Sequence, residues 1–207
     1  MNKKAKLALK IYVALLGFVF ISIVFLLIRD AAYTQQYSTT NVSDYGKYVG
    51  NYDNDFPKEF INSFFPEEID KNFSDIKYSY KAQKGDTYAF EAYLEFKIEN
   101  KAEFQSYVSE KTGNSDVKFK YDSDFKEYVV FDEFQLVGEE SKSIRGAKIG
   151  KILYSEKDQR IIYVAIGVYD GGMVTTDFLC QYFDRFDIDP IKYAKNTGDG
   201  PVCLDES

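Results

Sequence analysis

An unbroken apolar segment near the start of the chain sets the first limit on its architecture. Residues 11–28 form a run of 18 residues without a charge, and residues 7–9 extend it beyond Lys10. A helix over residues 7–28 would measure about 33 Å, close to the roughly 30 Å hydrocarbon core of a bilayer. The Lys10 ammonium group can reach the headgroups while its aliphatic stem stays among apolar neighbours. The segment is therefore predicted to be a transmembrane signal-anchor helix.

A cleaved signal peptide and a buried soluble helix are the alternatives. A signal peptide usually has an apolar core of about 7 to 15 residues and a small-x-small cleavage site. Here Arg29 and Asp30 follow, and the nearest candidate site is Asp30-Ala31-Ala32. A soluble core helix would carry a polar stripe, whereas this segment is apolar on all sides. The retained anchor is favoured over both.

The flanking charges predict the orientation of the anchor. Four lysines and no acidic residue stand before the uncharged run: Lys3, Lys4, Lys6 and Lys10. Basic flanks stay on the cytoplasmic side of a membrane. We therefore expect a single-pass cell-membrane protein with residues 1–6 in the cytoplasm and residues 53–207 outside it. Residues 29–52, which are polar and lack an apolar period, are expected to be a loosely ordered linker.

The outer part of the chain is acidic. The chain has 26 basic and 33 acidic residues, of which 21 and 32 follow residue 30, so residues 31–207 carry a net charge of −11. Such a domain repels nucleic acid and anionic surfaces, so no nucleic-acid partner is expected. The acidity is explained by solubility alone, and a cationic protein partner remains compatible with it.

The two cysteines, Cys180 and Cys203, would both lie outside the reducing cytosol. A disulfide between them would close a loop of about 23 residues and could stabilise the fold by roughly 3 kcal/mol. The alternative is a buried free Cys180 and a free thiol in the C-terminal tail. Two cysteines alone do not prove a pairing.

Alternating apolar residues predict an α+β domain built on a mainly antiparallel sheet. Strands are expected near residues 76–80, 88–98, 117–121, 128–137, 149–155 and 161–169, with a loop over 138–146. Two ββα units, residues 76–112 and 149–187, are expected to place two helices on the sheet. The last strand is apolar on both faces and should be central. One face of strand 88–98 is expected to be wet, because four charged side chains lie there: Glu91, Glu95, Lys97 and Glu99.

The first helix has clear signals at both ends. Asn100 is a helix-capping residue with Glu103 three positions later, and Gly113-Asn114 provides a stop. Between them, Phe104, Tyr107 and Val108 fall on one stripe. A helix from about residue 101 to residue 112 is predicted.

Histidine is absent from the chain, which removes the commonest general base and almost all catalytic zinc sites. No phosphate-binding glycine loop or nucleophile motif occurs, so no catalytic residue and no cofactor is predicted. Three acidic residues, Asp122, Asp124 and Glu127, resemble the start of a calcium loop. Lys126 and Glu127 stand where that loop needs a ligand and a glycine, and a solvated turn is the favoured interpretation.

A turn between the last strand and the second helix, Asp170-Gly171-Gly172, is a candidate functional loop. Together these observations predict a membrane-anchored extracytoplasmic domain of a bacterial cell envelope. It is expected to act as a non-enzymatic binding, accessory or structural component, with a protein partner in the envelope. The alternative is a carboxylate-dependent envelope hydrolase, which would need two inward-facing acids in one pocket.

Overall fold

The protein is described here by a computed structural model. It describes residues 12–13, 15–26, 35–49, 60–84, 88–114, 117–136, 144–169 and 185–186. The chain divides into two compact units, Met1–Gln35 and Gln36–Ser207.

In the first unit, residues 15–26 are helical. Eleven large apolar side chains between Tyr12 and Leu26 are 50–71% exposed. No helix within the described residues meets the length and apolarity needed to cross a bilayer.

The second unit is built on a six-stranded sheet, which confirms the α+β prediction. Its strands are β1 (Gln35–Thr39), β2 (Phe73–Lys84), β3 (Tyr88–Ile98), β4 (Lys126–Leu136), β5 (Ile144–Ser155) and β6 (Arg160–Tyr169). They lie in the order β1-β2-β3-β6-β5-β4, and the described pairings among β2 to β6 are antiparallel. Strand β6 lies between β3 and β5, so its predicted central place is correct.

Two α-helices described over their whole length accompany the sheet: α1 (Tyr45–Tyr48) and α2 (Lys101–Thr112). Residues 60–62 are also helical, and a 3-10 turn at Val42–Asp44 precedes α1. The capping prediction for α2 is confirmed, because Asn100 Oδ1 accepts the backbone N–H groups of Ala102 and Glu103. Gly113 ends the helix with φ of 60°, a left-handed conformation that glycine adopts without strain. The second predicted helix, which closes the predicted ββα unit over residues 149–187, falls outside the described residues except for Arg185 and Phe186.

An aromatic core covers one face of the sheet, which we call the first face. The Phe96 and Tyr163 rings stack 6.1 Å apart on neighbouring strands. Phe64 and Phe65, from the segment before β2, lie over Tyr163 with ring centroids 6.4 and 5.3 Å away. Phe104 anchors α2 in the same core with 2% of its surface exposed. The first face is therefore the main hydrophobic core of the domain.

Three local predictions are wrong. The linker predicted over residues 29–52 contains β1 and α1, and Tyr45 and Val49 are buried core residues. The strand predicted at 117–121 is reduced to one bridge, Lys118 to Lys126. Strand β5 begins at Ile144, inside the loop predicted over 138–146. At residues 29–52 and at the start of β5, polar sequence hid the order, because pairing with a neighbouring strand or aromatic packing outweighs weak local propensity. At 117–121 the alternating pattern predicted more strand than forms.

The prediction of a wet face on β3 is also wrong. Glu91 is 6% exposed and Glu95 is 0% exposed. On the same face β6 places Ile162, Val164 and Ile166, which are all fully buried. This second face of the sheet is therefore a second, partly charged interior.

Candidate functional site

The most unusual feature of the described residues is a buried charge cluster on the second face, centred on Glu95. Its partners come from three places in the sequence. Lys77 lies directly opposite Glu95 on β2, and Arg160 opens β6 beside it. Arg185 comes from the C-terminal part of the chain. The Glu95 side chain is fully buried, whereas those of Arg160, Arg185 and Lys77 are 15%, 31% and 55% exposed.

Both carboxylate oxygens of Glu95 are occupied. Arg185 Nη1 lies 2.7 Å from Oε2, and its Nη2 donates to Oε1 at 3.1 Å. Arg160 pairs with Oε1, and Lys77 Nζ lies 3.3 Å from the same atom. The Tyr93 hydroxyl donates to Oε2. Four partners thus offset the several kcal/mol that desolvating one carboxylate costs.

A bulge in β2 brings a second carboxylate to the cluster. Asp75 has φ of 49°, a left-handed conformation, at the point where the β2–β3 register shifts. Its Oδ2 lies 3.0 Å from Arg160 Nη2 and 3.3 Å from Lys97 Nζ. The Lys97 hydrogen bond holds the pKa of Asp75 below its usual value. Bulges often redirect a side chain in this way, and here the bulge aims Asp75 at Arg160.

Tyr93 connects the cluster to the apolar part of the second face. Burial raises the pKa of Tyr93 to about 12, although Arg185 and Arg160 act in the opposite direction. Its hydroxyl therefore stays protonated at neutral pH and serves as a donor to Glu95. The Tyr93–Glu95 pair contributes a fixed hydrogen bond rather than a proton-transfer step.

A second buried ion pair lies on the same face. Lys151 Nζ on β5 is 2.9 Å from Glu127 Oε1 on β4, and their side chains are 4% and 13% exposed. Nearby, the Phe186 ring lies 5.0 Å from Phe119 and 5.2 Å from Phe125. Arg185 and Phe186 thus join the second face by a charge contact and an aromatic contact.

The contacts of Glu95 do not have the geometry of a general acid or base. A general acid or base needs a carboxylate oxygen that can exchange a proton with a substrate. Both Glu95 oxygens are already engaged, and surrounding cations favour the ionised form. Glu91 lies four residues away on the same strand, roughly 13 Å along it. Asp75, the other carboxylate of the cluster, is paired with Arg160 and Lys97. Neither acid therefore forms with Glu95 the pair of inward-facing acids that the hydrolase alternative needs.

The predicted calcium residues lie at the beginning of β4 and just before it. Asp122 Oδ1 accepts the backbone N–H of Asp124 at 2.8 Å, which makes a local turn. Asp124 Oδ2 accepts a hydrogen bond from Lys157 at 2.6 Å, and this bond raises the pKa of Lys157. Glu127 pairs with Lys151. In the part of the chain that the structure describes, no group of three metal-binding side chains could hold an ion. Calcium binding here stays an untested hypothesis.

The other predicted site residues lie outside the described residues. These are the candidate loop Asp170, Gly171 and Gly172, and the candidate disulfide partners Cys180 and Cys203. The functional loop and the disulfide therefore both stay predictions.

Sequence reasoning missed the Glu95 cluster, although one signal could have indicated it. Strand β6 is apolar at Ile162, Val164 and Ile166, which indicates that the second face of this strand is buried. Because β3 pairs with β6, the neighbouring Glu91 and Glu95 are buried on the same face. Arg185, about 90 residues distant from Glu95, carries no local pattern that links it to a carboxylate.

Comparison with protein-family models, curated proteins and solved structures found no match for this chain.

Proposed function

We propose that this chain is a membrane-anchored, extracytoplasmic domain acting as a non-enzymatic binding, accessory or structural component of a bacterial cell envelope. Residues 7–28 would be the anchor, with the N-terminus in the cytoplasm. The observation that carries the proposal is the exposed apolar surface of the described N-terminal helical residues.

That surface needs an apolar environment. Large apolar side chains between Tyr12 and Leu26 are half or more exposed and occur at nearly every position. A full burial is worth about 1.5–3 kcal/mol per large apolar side chain, so moving this surface from water into lipid gains on the order of 10 kcal/mol. Since the apolar residues surround the helix, lipid on all sides suits them better than a single protein groove.

The remaining features support an outer domain that binds rather than catalyses. The basic N-terminal flank favours a cytoplasmic N-terminus. The chain has no histidine, and its buried Glu95 is engaged by cations and a tyrosine. These features fit an accessory or binding domain tied to the bilayer.

Anchoring is tested by alkaline carbonate extraction of membranes carrying the full chain. The wild type should stay with the membrane, uncut. Leu16→Arg with Phe20→Arg should release it, because each arginine at a helix centre costs about 2.5–3.5 kcal/mol in the bilayer. Val117→Arg is the matched control, since Val117 is an apolar residue of the outer domain that is 61% exposed. Recovery of the uncut wild type in a detergent-free soluble fraction would refute the anchor.

Orientation can be read from two natural glycosylation sequons. Asn41-Val42-Ser43 and Asn72-Phe73-Ser74 fit Asn-x-Ser/Thr, and Asn41 and Asn72 are both exposed. Translation in the presence of eukaryotic microsomes should add two glycans if the domain is translocated. Asn41→Gln with Asn72→Gln should abolish both. If the chain resists carbonate extraction but carries no glycan, the proposed anchor stands and its proposed orientation is refuted.

A further inference from the structure

A small cleft opens beside the first face, between helix α2 and the adjoining ends of β4 and β5. Its volume is about 310 Å³, at the lower end of the range for small-molecule sites. Its apolar lining comes from Phe104 of α2 and Tyr154 of β5, which are buried, and from Val108 of α2, which is half-buried. The volume suits one amino-acid-sized molecule and is too small for a nucleotide cofactor.

Opposite charges stand together on the strand wall of the cleft. Lys126 Nζ and Glu156 Oε1 are 2.8 Å apart, with side chains 28% and 56% exposed. An ion pair exposed to this degree contributes little to stability. A ligand carrying its own positive and negative groups can therefore replace this contact without leaving either side chain unpaired.

The helix wall adds neutral hydrogen-bonding groups. Ser109 Oγ donates a hydrogen bond to Asn114 Oδ1 at 2.6 Å. This bond uses the amide oxygen of Asn114 and not its amide hydrogens. Gln105 supplies a second exposed amide. The lining of the cleft thus offers amide donors as well as the Lys126 ammonium group for a carboxylate.

We propose that this cleft binds a free amino acid with an apolar side chain. Its carboxylate contacts Lys126 and the Asn114 amide. Its ammonium group contacts Glu156, and its side chain covers Val108. This site goes beyond the proposed function, because neither the anchor nor its orientation requires it.

The affinity should be low. Phe104 and Tyr154 are only 2% and 3% exposed, so they offer a ligand little further apolar surface. With few atoms buried, a dissociation constant on the order of 1 mM is expected. Selectivity should therefore come from the charged groups and not from the apolar wall.

The test is a titration of the isotopically labelled full chain in detergent micelles, followed by backbone amide NMR shifts. The first probe is L-leucine, and the second is N-acetyl-L-leucinamide, which keeps the side chain and lacks both charges. L-Leucine should shift the amides of Ser109, Asn114 and Glu156 in a saturable manner. The capped probe should bind at least about tenfold more weakly, because it makes no charge-assisted hydrogen bonds.

Paired variants locate the effect. Lys126→Gln with Glu156→Gln should weaken L-leucine binding by at least about tenfold. Lys157→Gln with Asp124→Asn is the matched control, since that neighbouring ion pair at 2.6 Å does not line the cleft. The control should bind as the wild type does, and unchanged shifts elsewhere verify that both variants fold.

Three outcomes would overturn the proposal: no saturable shift with L-leucine up to about 20 mM, equal binding of the capped probe, or unchanged binding by the Lys126/Glu156 variant. Each of them leaves the anchor untouched, because carbonate extraction and glycosylation measure residues outside the cleft.

Discussion

At the residue scale, the Glu95 carboxylate is stable in the interior only through its partners. Replacing it with glutamine keeps its size and removes the negative charge that Arg160, Arg185 and Lys77 share. Because loss of one member of a buried pair leaves uncompensated charge, Glu95→Gln should lower the free energy of unfolding by about 3–5 kcal/mol. Urea unfolding in detergent micelles, followed by circular dichroism, measures the change.

Glu99→Gln is the control for that substitution, because Glu99 is exposed just beyond the end of the same strand. It should change stability by less than about 0.5 kcal/mol. Equal stability of the two variants would show that the cluster does not depend on the Glu95 charge.

Gly150 is a second residue on which the interior depends. A Cβ atom at this position would lie 3.0 Å from the Phe64 ring and 3.2 Å from the Phe131 ring. Since the Phe64 ring is packed in the aromatic core, Gly150→Ala should destabilise the fold by about 1–3 kcal/mol. Gly46→Ala is the control, because a Cβ there meets nothing within 4 Å. If Gly150→Ala left the free energy of unfolding unchanged in the same measurement, this result would contradict the close approach of the Phe64 and Phe131 rings to Gly150.

At the element scale, helix α2 forms where the sequence predicts it, because its signals are local. Asn100 caps the first turn and Gly113 ends the last one. Asn100→Ala should therefore lower the free energy of unfolding by about 1 kcal/mol, whereas Asn100→Asp should keep most of the capping. Thermal unfolding of both variants checks this, and an Asn100→Ala variant as stable as the wild type would mean that packing of Phe104 alone holds the helix.

Other elements depend on distant partners, which the sequence does not display. Strand β1 is short and polar, and it is ordered at the sheet edge next to β2. The segment at 117–121 alternates like a strand, yet only Lys118 makes a bridge. Glu95 follows the pattern of a solvent-facing position until Arg160 and Arg185 are brought to it by the fold. Local signals therefore predicted most of the sheet and α2, and missed the charged interior because its partners are far apart in sequence.

At the scale of the whole domain, both faces of the sheet are interior, and each buries tyrosine hydroxyls. On the first face Tyr107 and Tyr163 join through their hydroxyl oxygens at 3.0 Å, and burial raises the pKa of Tyr107 to about 12. On the second face burial raises the pKa of Tyr93 to about 12. Alkaline pH is therefore expected to ionise buried tyrosine hydroxyls on both faces of the sheet.

The sign of this pH dependence follows from proton binding. The ordinary tyrosine pKa is 10.0, so between about pH 10 and 12 the unfolded chain releases protons that folded Tyr93 and Tyr107 retain. Stability is therefore fully present below pH 10 and falls as the pH rises towards 12, by about 2–3 kcal/mol for each tyrosine. Tyr107→Phe should reduce this alkaline loss of stability by the 2–3 kcal/mol, roughly, that one tyrosine contributes. The lysines titrate alike in the wild type and the variant, so their effect cancels in the difference between the two proteins. Absorbance at about 295 nm measures ionisation directly, and folded chain whose tyrosines all ionise near pH 10 would contradict the buried positions of both hydroxyls.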